Sequence, residues 1–502
     1  MSSRGWGVVS VVAATAALTA TVGIGQATRP ATPGPAATTT GSVVPVVRAG
    51  VVCPDLRTDD TRTSRVSVGS TGPAPASTTG PAGVGDSTPL GAPGAPTPLA
   101  VTGPGLVQTG VGLGLDDDAL VVDARGPLAA GLEVEQVTRG TSGLSRGLAG
   151  VRCAAPGTDL WFAGGSTAAG DDLVLALVNT DPAPVLVDVA LWSREGPVDG
   201  RPGRGLVVPP RGRLLVPVAD LAPGRSLLAV RVTATRGRIA AGLLHRSLDG
   251  QISRGAEWVP ATPPPAARVV LPGLPAGPGA RVLVLTNPGT EPSTASVQLT
   301  TTDGQFVPPG LEAVAVPGGR SVPVDLTGAL AATPAAVAVT ATGAPLLAAA
   351  RVDEGSPTGT GDFAYAGATG PLDGPALLSD LVLDARTEST LLLSAVDGDT
   401  SVVVTPVPVV GGAGGLPGPR TVAVPGGSVA QLRLSELLPA GAVRSLAVEV
   451  RPAPGAAAVY VARYLRENNA TGPLTTLLAL QSGVREVPRP AVVADPEAVR
   501  TR

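Results

Sequence analysis

Few residues in this chain could do chemistry. His245 is the single histidine in 502 residues. Nucleophilic schemes need a base held against a serine or cysteine, and no nucleophile motif stands beside it in the sequence. It reads as an ordinary residue at the end of a strand. A zinc site takes several His or Cys ligands, and the chain has one His and two Cys. The densest acidic clusters are Asp116-Asp117-Asp118 and Asp397-Gly398-Asp399. Neither completes a calcium loop or singles out the carboxylate pair that glycoside hydrolysis uses, so both read as solvated turns. Gly411-Gly412-Ala413-Gly414-Gly415 lacks the Lys and helix start of a phosphate cradle. No catalytic residue, metal or cofactor is expected, and the chain is read as non-enzymatic.

Two further residue sets matter. Cys53 and Cys153, 100 residues apart, are the only cysteines, and outside the cytosol they form one disulfide by default. Such a loop stabilises by about 4–5 kcal/mol in the chain-entropy treatment. Aromatics make up only 2% of the chain, so cores are filled by aliphatics. Past the first 29 residues the tryptophans are Trp161, Trp192 and Trp258. With Phe162 they form the candidate ligand surface, since sugars stack on such rings. The alternative is that they fill the junction between two folding units.

The elements that must position these residues follow from a repeat. Val208-Pro209-Pro210 returns as Val316-Pro317-Gly318-Gly319 and as Val424-Pro425-Gly426-Gly427, and the lead prolines stand 108 residues apart. Asn179 and Asn287, each in a turn after an apolar strand, keep the same spacing. Each motif predicts a hairpin, with proline ending one strand and glycine supplying φ > 0 for the return. Six or seven short alternating strands per copy, with turns every eight to twelve residues, predict an all-β chain of tandem immunoglobulin-like β-sandwiches. The expected copies are 158–268, 269–376 and 377–487. A less regular β-rich unit precedes them at 43–157, interrupted at 71–98 by a loop expected to be disordered. A loose tail, 488–502, follows. One helical turn each is expected at 219–221 and 435–438.

Composition bounds the rest. The 67 glycines and 53 prolines sit beside 43% hydrophobic residues, which suits short buried strands between tight turns. A net charge of −3 offers no basic field for nucleic acid. Residues 1–29 carry Arg4 and then a weakly apolar run over 5–25, long enough at about 1.5 Å per residue to cross a bilayer. Gly25-Gln26-Ala27 also fits a small-x-small cleavage site. The segment is a membrane anchor or a cleaved signal peptide, and 30–42 is a Pro/Thr/Ala spacer. Either way the remainder lies outside the membrane, anchored or secreted.

The order Cys53-Pro54, Cys153, Trp161-Phe162-Ala163-Gly164-Gly165, Asn179 and Val208-Pro209-Pro210 resembles an actinobacterial domain-of-unknown-function family. The resemblance implies a membrane-anchored or secreted envelope protein, often encoded near a glycosyltransferase. It carries no catalytic residues. The third copy departs from the pattern, with Asp397-Gly398-Asp399 at its first turn. The expected function is a cell-envelope structural or interaction protein with an envelope protein or glycan as partner. The alternative is a binding module for envelope glycans that assists a glycosyltransferase.

Overall fold

The computed structural model describes residues 42–489, apart from 55–61, 73–82, 91–95, 112–118, 199–202, 356–359, 383–385, 413–414 and 438–444. The expectations for the export segment, the spacer, Asp116-Asp117-Asp118 and most of the tail lie outside the described residues. Ser42–Pro45 pairs with Glu486–Arg489 as a separate two-stranded sheet. Residues 45–486 form one compact unit. Among the described residues no helix is long and apolar enough to cross a membrane.

That unit is strand on strand. The first module contains β1 (Arg48–Cys53), β2 (Arg62–Ser70), β3 (Val84–Pro89), β4 (Thr97–Pro98), β5 (Val107–Val111), β6 (Leu120–Arg125), β7 (Leu132–Gly140) and β8 (Gly147–Arg152). The second has β9 (Asp159–Ala163), β10 (Asp171–Asn179), β11 (Val185–Trp192), β12 (Leu206–Val208), β13 (Gly212–Pro217), β14 (Ala229–Arg236), β15 (Ala240–Asp249) and β16 (Ile252–Val259). The third has β17 (Arg268–Leu274), β18 (Arg281–Thr286), β19 (Ser293–Thr301), β20 (Val314–Val316), β21 (Ser321–Asp325), β22 (Ala335–Gly343), β23 (Leu347–Gly355) and β24 (Gly361–Gly367). The fourth has β25 (Ala376–Val382), β26 (Thr387–Ala395), β27 (Thr400–Val407), β28 (Arg420–Val424), β29 (Ser428–Arg433), β30 (Ser445–Pro452), β31 (Tyr460–Asn469) and β32 (Gly472–Ala479). In every module one sheet runs first–sixth–third–fourth and the other fifth–second–seventh–eighth. Short edge pieces such as Gly304–Phe306 add to the first sheet.

Several expectations are corrected here. The N-terminal unit has the strand order of the other three, so the module is present four times. Val84–Pro89 and Thr97–Pro98 are strands inside the stretch expected to be disordered; Val84–Pro89 pairs along the whole of β6, which supplies the hydrogen bonds its weak alternation does not advertise. The immunoglobulin order places the first strand beside the second. Here the first strand pairs with the sixth, and the second with the seventh. The Val-Pro motifs are not hairpins: β12 and β13 lie in opposite sheets, as do β20 with β21 and β28 with β29. Proline lacks the N–H that would extend the ladder, and the chain crosses the sandwich instead. Arg211 (φ 45°), Gly319 (φ 74°) and Gly427 (φ 73°) make the crossing turn at one repeat position. The expected helical turns are 3-10 turns, Val218–Asp220 and Leu434–Leu437.

Burial explains how the modules join. Along β11, Val185, Val187, Val189 and Leu191 are buried and alternate with more exposed neighbours, as in a sheet with one face on its core. In β10 the run from Leu175 to Asn179 is buried on both faces, so the second sheet is covered on its outside as well. The cover is the outer face of the preceding module's first sheet. Val52, Leu90 and Ala119 of module 1 meet Val178 and Ala240 of module 2. Trp161, Ala163 and Ala229 of module 2 meet Leu347 and Ala349 of module 3. The Pro272 carbonyl of module 3 accepts from Ser394 Oγ of module 4 at 2.6 Å. Leu377, Val407 and Ala447 of module 4 return to Val107 of module 1. The same head-to-tail contact is made four times and closes the chain into a ring. The eighth strands β8, β16, β24 and β32 pack against one another along its axis.

Candidate functional site

The axis gathers the most unusual polar groups. Arg146, 2% exposed, follows a 3-10 turn at Gly143–Ser145 and reaches across the ring. Its Nη1 donates to Gly361 O at 2.6 Å, its Nη2 to Pro473 O at 2.7 Å and its Nε to Thr471 Oγ1 at 3.2 Å. Asp362, on β24, accepts four backbone N–H groups. Leu148 N (2.9 Å) and Thr475 N (2.8 Å) donate to Oδ2, and Ala256 N (3.2 Å) and Phe363 N (3.0 Å) donate to Oδ1. Those donors come one from each module, so a single carboxyl group pins all four. Gly255 (φ 124°) lies against it, and a Cβ there would fall 2.2 Å from Oδ1. Burial pushes the Asp362 carboxyl up to about 8, against the pull of its backbone donors and of Arg146. Glu257 accepts from Gly150 N at 2.8 Å and from Trp258 N at 2.9 Å. Burial likewise raises it well above the usual carboxylate range, with Thr476 and the backbone donors opposing.

A second polar chain bridges modules 2 and 3. His245 lies within β15 and is fully buried; the strand continues to Asp249, so it is not the strand-end residue expected. The Gly165 N–H donates to Tyr365 Oη at 3.1 Å, and Oη lies 2.9 Å from His245 Nδ1. His245 Nε2 faces Asp171 Oδ1 at 3.2 Å. Burial lowers the His245 pKa and Arg351 adds to the fall, while Asp171 pulls the other way, so the ring is neutral at neutral pH. Tyr365 is pushed up to about 12 by burial and stays a donor. A neutral imidazole with Nε2–H toward Asp171 leaves Nδ1 to accept from Tyr365, which completes the chain. It ties Gly165, His245 and Asp171 of module 2 to Tyr365 of module 3 and so locks the seam.

The candidate ligand rings are dispersed. Trp161 (5% exposed) stacks on half-buried Trp192, with centroids 5.5 Å apart, and the Arg231 guanidinium sits 4.8 Å over Trp161. Arg231 is held by Asp159 at 2.8 and 3.0 Å. This pair lies at the seam between modules 2 and 3. Phe162 is in the core of module 2. Trp258 packs on Leu244 and on Ala149 of module 1. Cys53, at the end of β1, is bonded to Cys153, just past β8, and staples the first and last strands of module 1. Asn179 Nδ2 donates to the Ala183 and Pro209 carbonyls at 2.8 and 3.0 Å, and Asn287 repeats the turn through Glu291 O at 2.8 Å. In module 4 Asp399 Oδ1 accepts from Gly426 N at 2.7 Å instead, and Asp397 pairs with Arg268 of module 3. Among the described residues no group of His, Cys, Asp and Glu is placed to hold a metal ion.

Arg146, Glu257, Asp362 and Tyr365 escaped the sequence reading because the eighth strand did. Gly361-Asp362-Phe363-Ala364-Tyr365-Ala366-Gly367 is buried at every position and shows no alternation. An aspartate between a glycine and an aromatic in such a run was the available signal.

The four-module chain can now be set beside known proteins. A family model described as a family of unknown function, DUF5719, matches residues 113–435. The chain belongs to that family. The DUF5719 match begins within module 1 and ends just past β29 of module 4, so it includes all of modules 2 and 3. No curated protein matches the chain.

Proposed function

We propose that this DUF5719 member is a non-enzymatic cell-envelope structural or interaction protein, a rigid four-module ring placed outside the cytoplasmic membrane. In this reading it is an actinobacterial protein, anchored by residues 1–29 or released after their removal, and it works beside an envelope glycosyltransferase. The observation that carries the reading is how the reactive side chains are used. Asp362, Glu257, Arg146 and His245 are all buried and engaged in holding modules together. The Cys53–Cys153 bond supports an oxidising compartment. A glycan-binding reading needs exposed ring faces, and Trp161 and Trp258 are turned into seams. The test is protease shaving of intact cells combined with thiol alkylation of the recovered protein. An exported ring is digested only at exposed loops and its cysteines resist alkylation without reductant. Full protection in intact cells with both thiols alkylated would refute it.

A further inference from the structure

One end of module 2 differs from the same end of modules 3 and 4. It is closed by the turns 180–184 between β10 and β11, 209–211 between β12 and β13, and 237–239 between β14 and β15. Leu186, near the start of β11, stands between Val207 and Arg236 in the sheet. Leu186 is 36% and Val207 56% exposed, and Arg211, Arg236 and Arg238 on the adjoining turns are exposed with them. Among the described residues Arg211 and Arg236 form no ion pair, and Arg238 lies 3.7 Å from Asp181. Asp188, further along β11, accepts from Gly205 N at 2.7 Å, beside the exposed Arg204. In module 3 the place of Leu186 is taken by Thr294, between Ala315 and Thr342. In module 4 it is taken by Ser401, opposite Ala423. The crossing residue is Gly319 or Gly427 there and Arg211 here, at φ 45°. A left-handed backbone costs a residue with a Cβ, and no contact of the exposed Arg211 side chain offsets that cost. The fold itself is built twice more with small uncharged residues at this end.

We infer that this end of module 2 docks on an anionic lipid surface, with the Arg211, Arg236 and Arg238 guanidinium groups at the phosphates and Leu186 and Val207 entering the acyl boundary. Guanidinium forks complement phosphate oxygens, and arginine keeps its head at an interface while apolar neighbours sink below it. An acidic peptide would satisfy the arginines and leave Leu186 and Val207 without a partner, so the exposed apolar pair favours lipid. The contact is separate from residues 1–29 and holds on either side of a membrane.

The experiment places an environment-sensitive nitrobenzoxadiazole dye on Val207→Cys in the intact chain, and on Ala315→Cys in module 3 as the control. Each protein is titrated with vesicles of phosphatidylcholine alone and of an equal mixture with phosphatidylglycerol. The dye at 207 should brighten and shift to the blue with mixed vesicles only, raised salt should reverse the change, and the dye at 315 should not respond. Residues 1–29 are common to every sample, so they cannot produce a difference between the two positions. Arg211→Gly, which suits the left-handed turn, and Arg236→Gln should each raise the lipid concentration for half response roughly fivefold. A dye at 207 that ignores the mixed vesicles, answers neutral ones equally, or behaves as the dye at 315 does overturns the inference. A response to soluble polyglutamate and to neither vesicle would assign the patch to an acidic protein and overturn it as well.

Discussion

Modules 1 and 3 reach the same strand order by different local means. Module 3 carries the repeat signature. Asn287 braces its first turn and Gly319 takes the left-handed crossing after Pro317. Module 1 has neither motif. Its crossing uses Pro104 and Gly105 (φ 81°), and its first and last strands are tied by Cys53–Cys153. The difference teaches that turn chemistry fixes how a link is made, while strand order follows from which faces must be buried. In both modules one sheet is covered on its outside by the module before it, and the ring supplies that cover.

The comparison can be broken at its staple first. Cys153→Ser should cost about 4–5 kcal/mol, read as a shift in the urea midpoint. Hydrogen exchange should rise in β1 and β8 while β18 and β23 stay protected. Equal loss of protection in module 3 would show that the staple acts on the whole ring. Next in size is Asp362→Asn, on the axis. The new amide would set a donor against the N–H groups of Leu148 and Thr475, costing about 3 kcal/mol. The loss should spread to all four modules, and an unchanged midpoint would remove the Asp362 carboxyl group from its pinning role.

Smaller effects sharpen the turn comparison. Asn287→Ala strands the Glu291 and Val316 carbonyls and should cost roughly 2 kcal/mol by chemical denaturation. Asp399→Ala, which releases one exposed contact, should cost less than about 1 kcal/mol. Equal costs would mean the two turns do the same job. Of comparable size is a pH effect at the seam that module 3 makes with module 2. His245 is depressed in the folded state, so the unfolded chain binds the proton more tightly. Stability is therefore lost as pH falls below about 6.5. The wild type's advantage over His245→Asn should shrink by on the order of 1 kcal/mol between pH 7.5 and 5. Asp362 and Glu257 titrate in the opposite sense, but they are common to both proteins and cancel. An advantage that does not move would place a charged imidazole in the seam.

Much of the fold was legible. Alternation such as Val185, Val187, Val189 marks strands with one wet face, and the 108-residue spacing of Pro209, Pro317 and Pro425 marks three modules. The Cys53–Cys153 pairing followed from there being two cysteines. Module 1 was hidden because it shares burial and not motifs with the rest. Ring closure was hidden because seam contacts are long-range and use ordinary apolar residues. Its trace in the sequence is the doubly apolar second strand, Leu173-Val174-Leu175-Ala176-Leu177-Val178 and Leu391-Leu392-Leu393. The axial groups were lost among many carboxylates, since a residue's partners four strands away leave no local pattern.

Closure itself is best tested where the two ends of the repeat meet. Val107 of module 1 and Val409 of module 4 are bridge partners, with Val107 N donating to Pro408 O at 3.0 Å and Val410 N to Val107 O at 2.7 Å. The double substitution Val107→Cys with Val409→Cys places two thiols within disulfide reach. Under mild oxidation of the folded monomer the account predicts an intramolecular 107–409 bond beside the intact Cys53–Cys153 bond, identified by peptide mapping. Thiols that stay free, or that join only separate molecules, would mean the four modules form an open string.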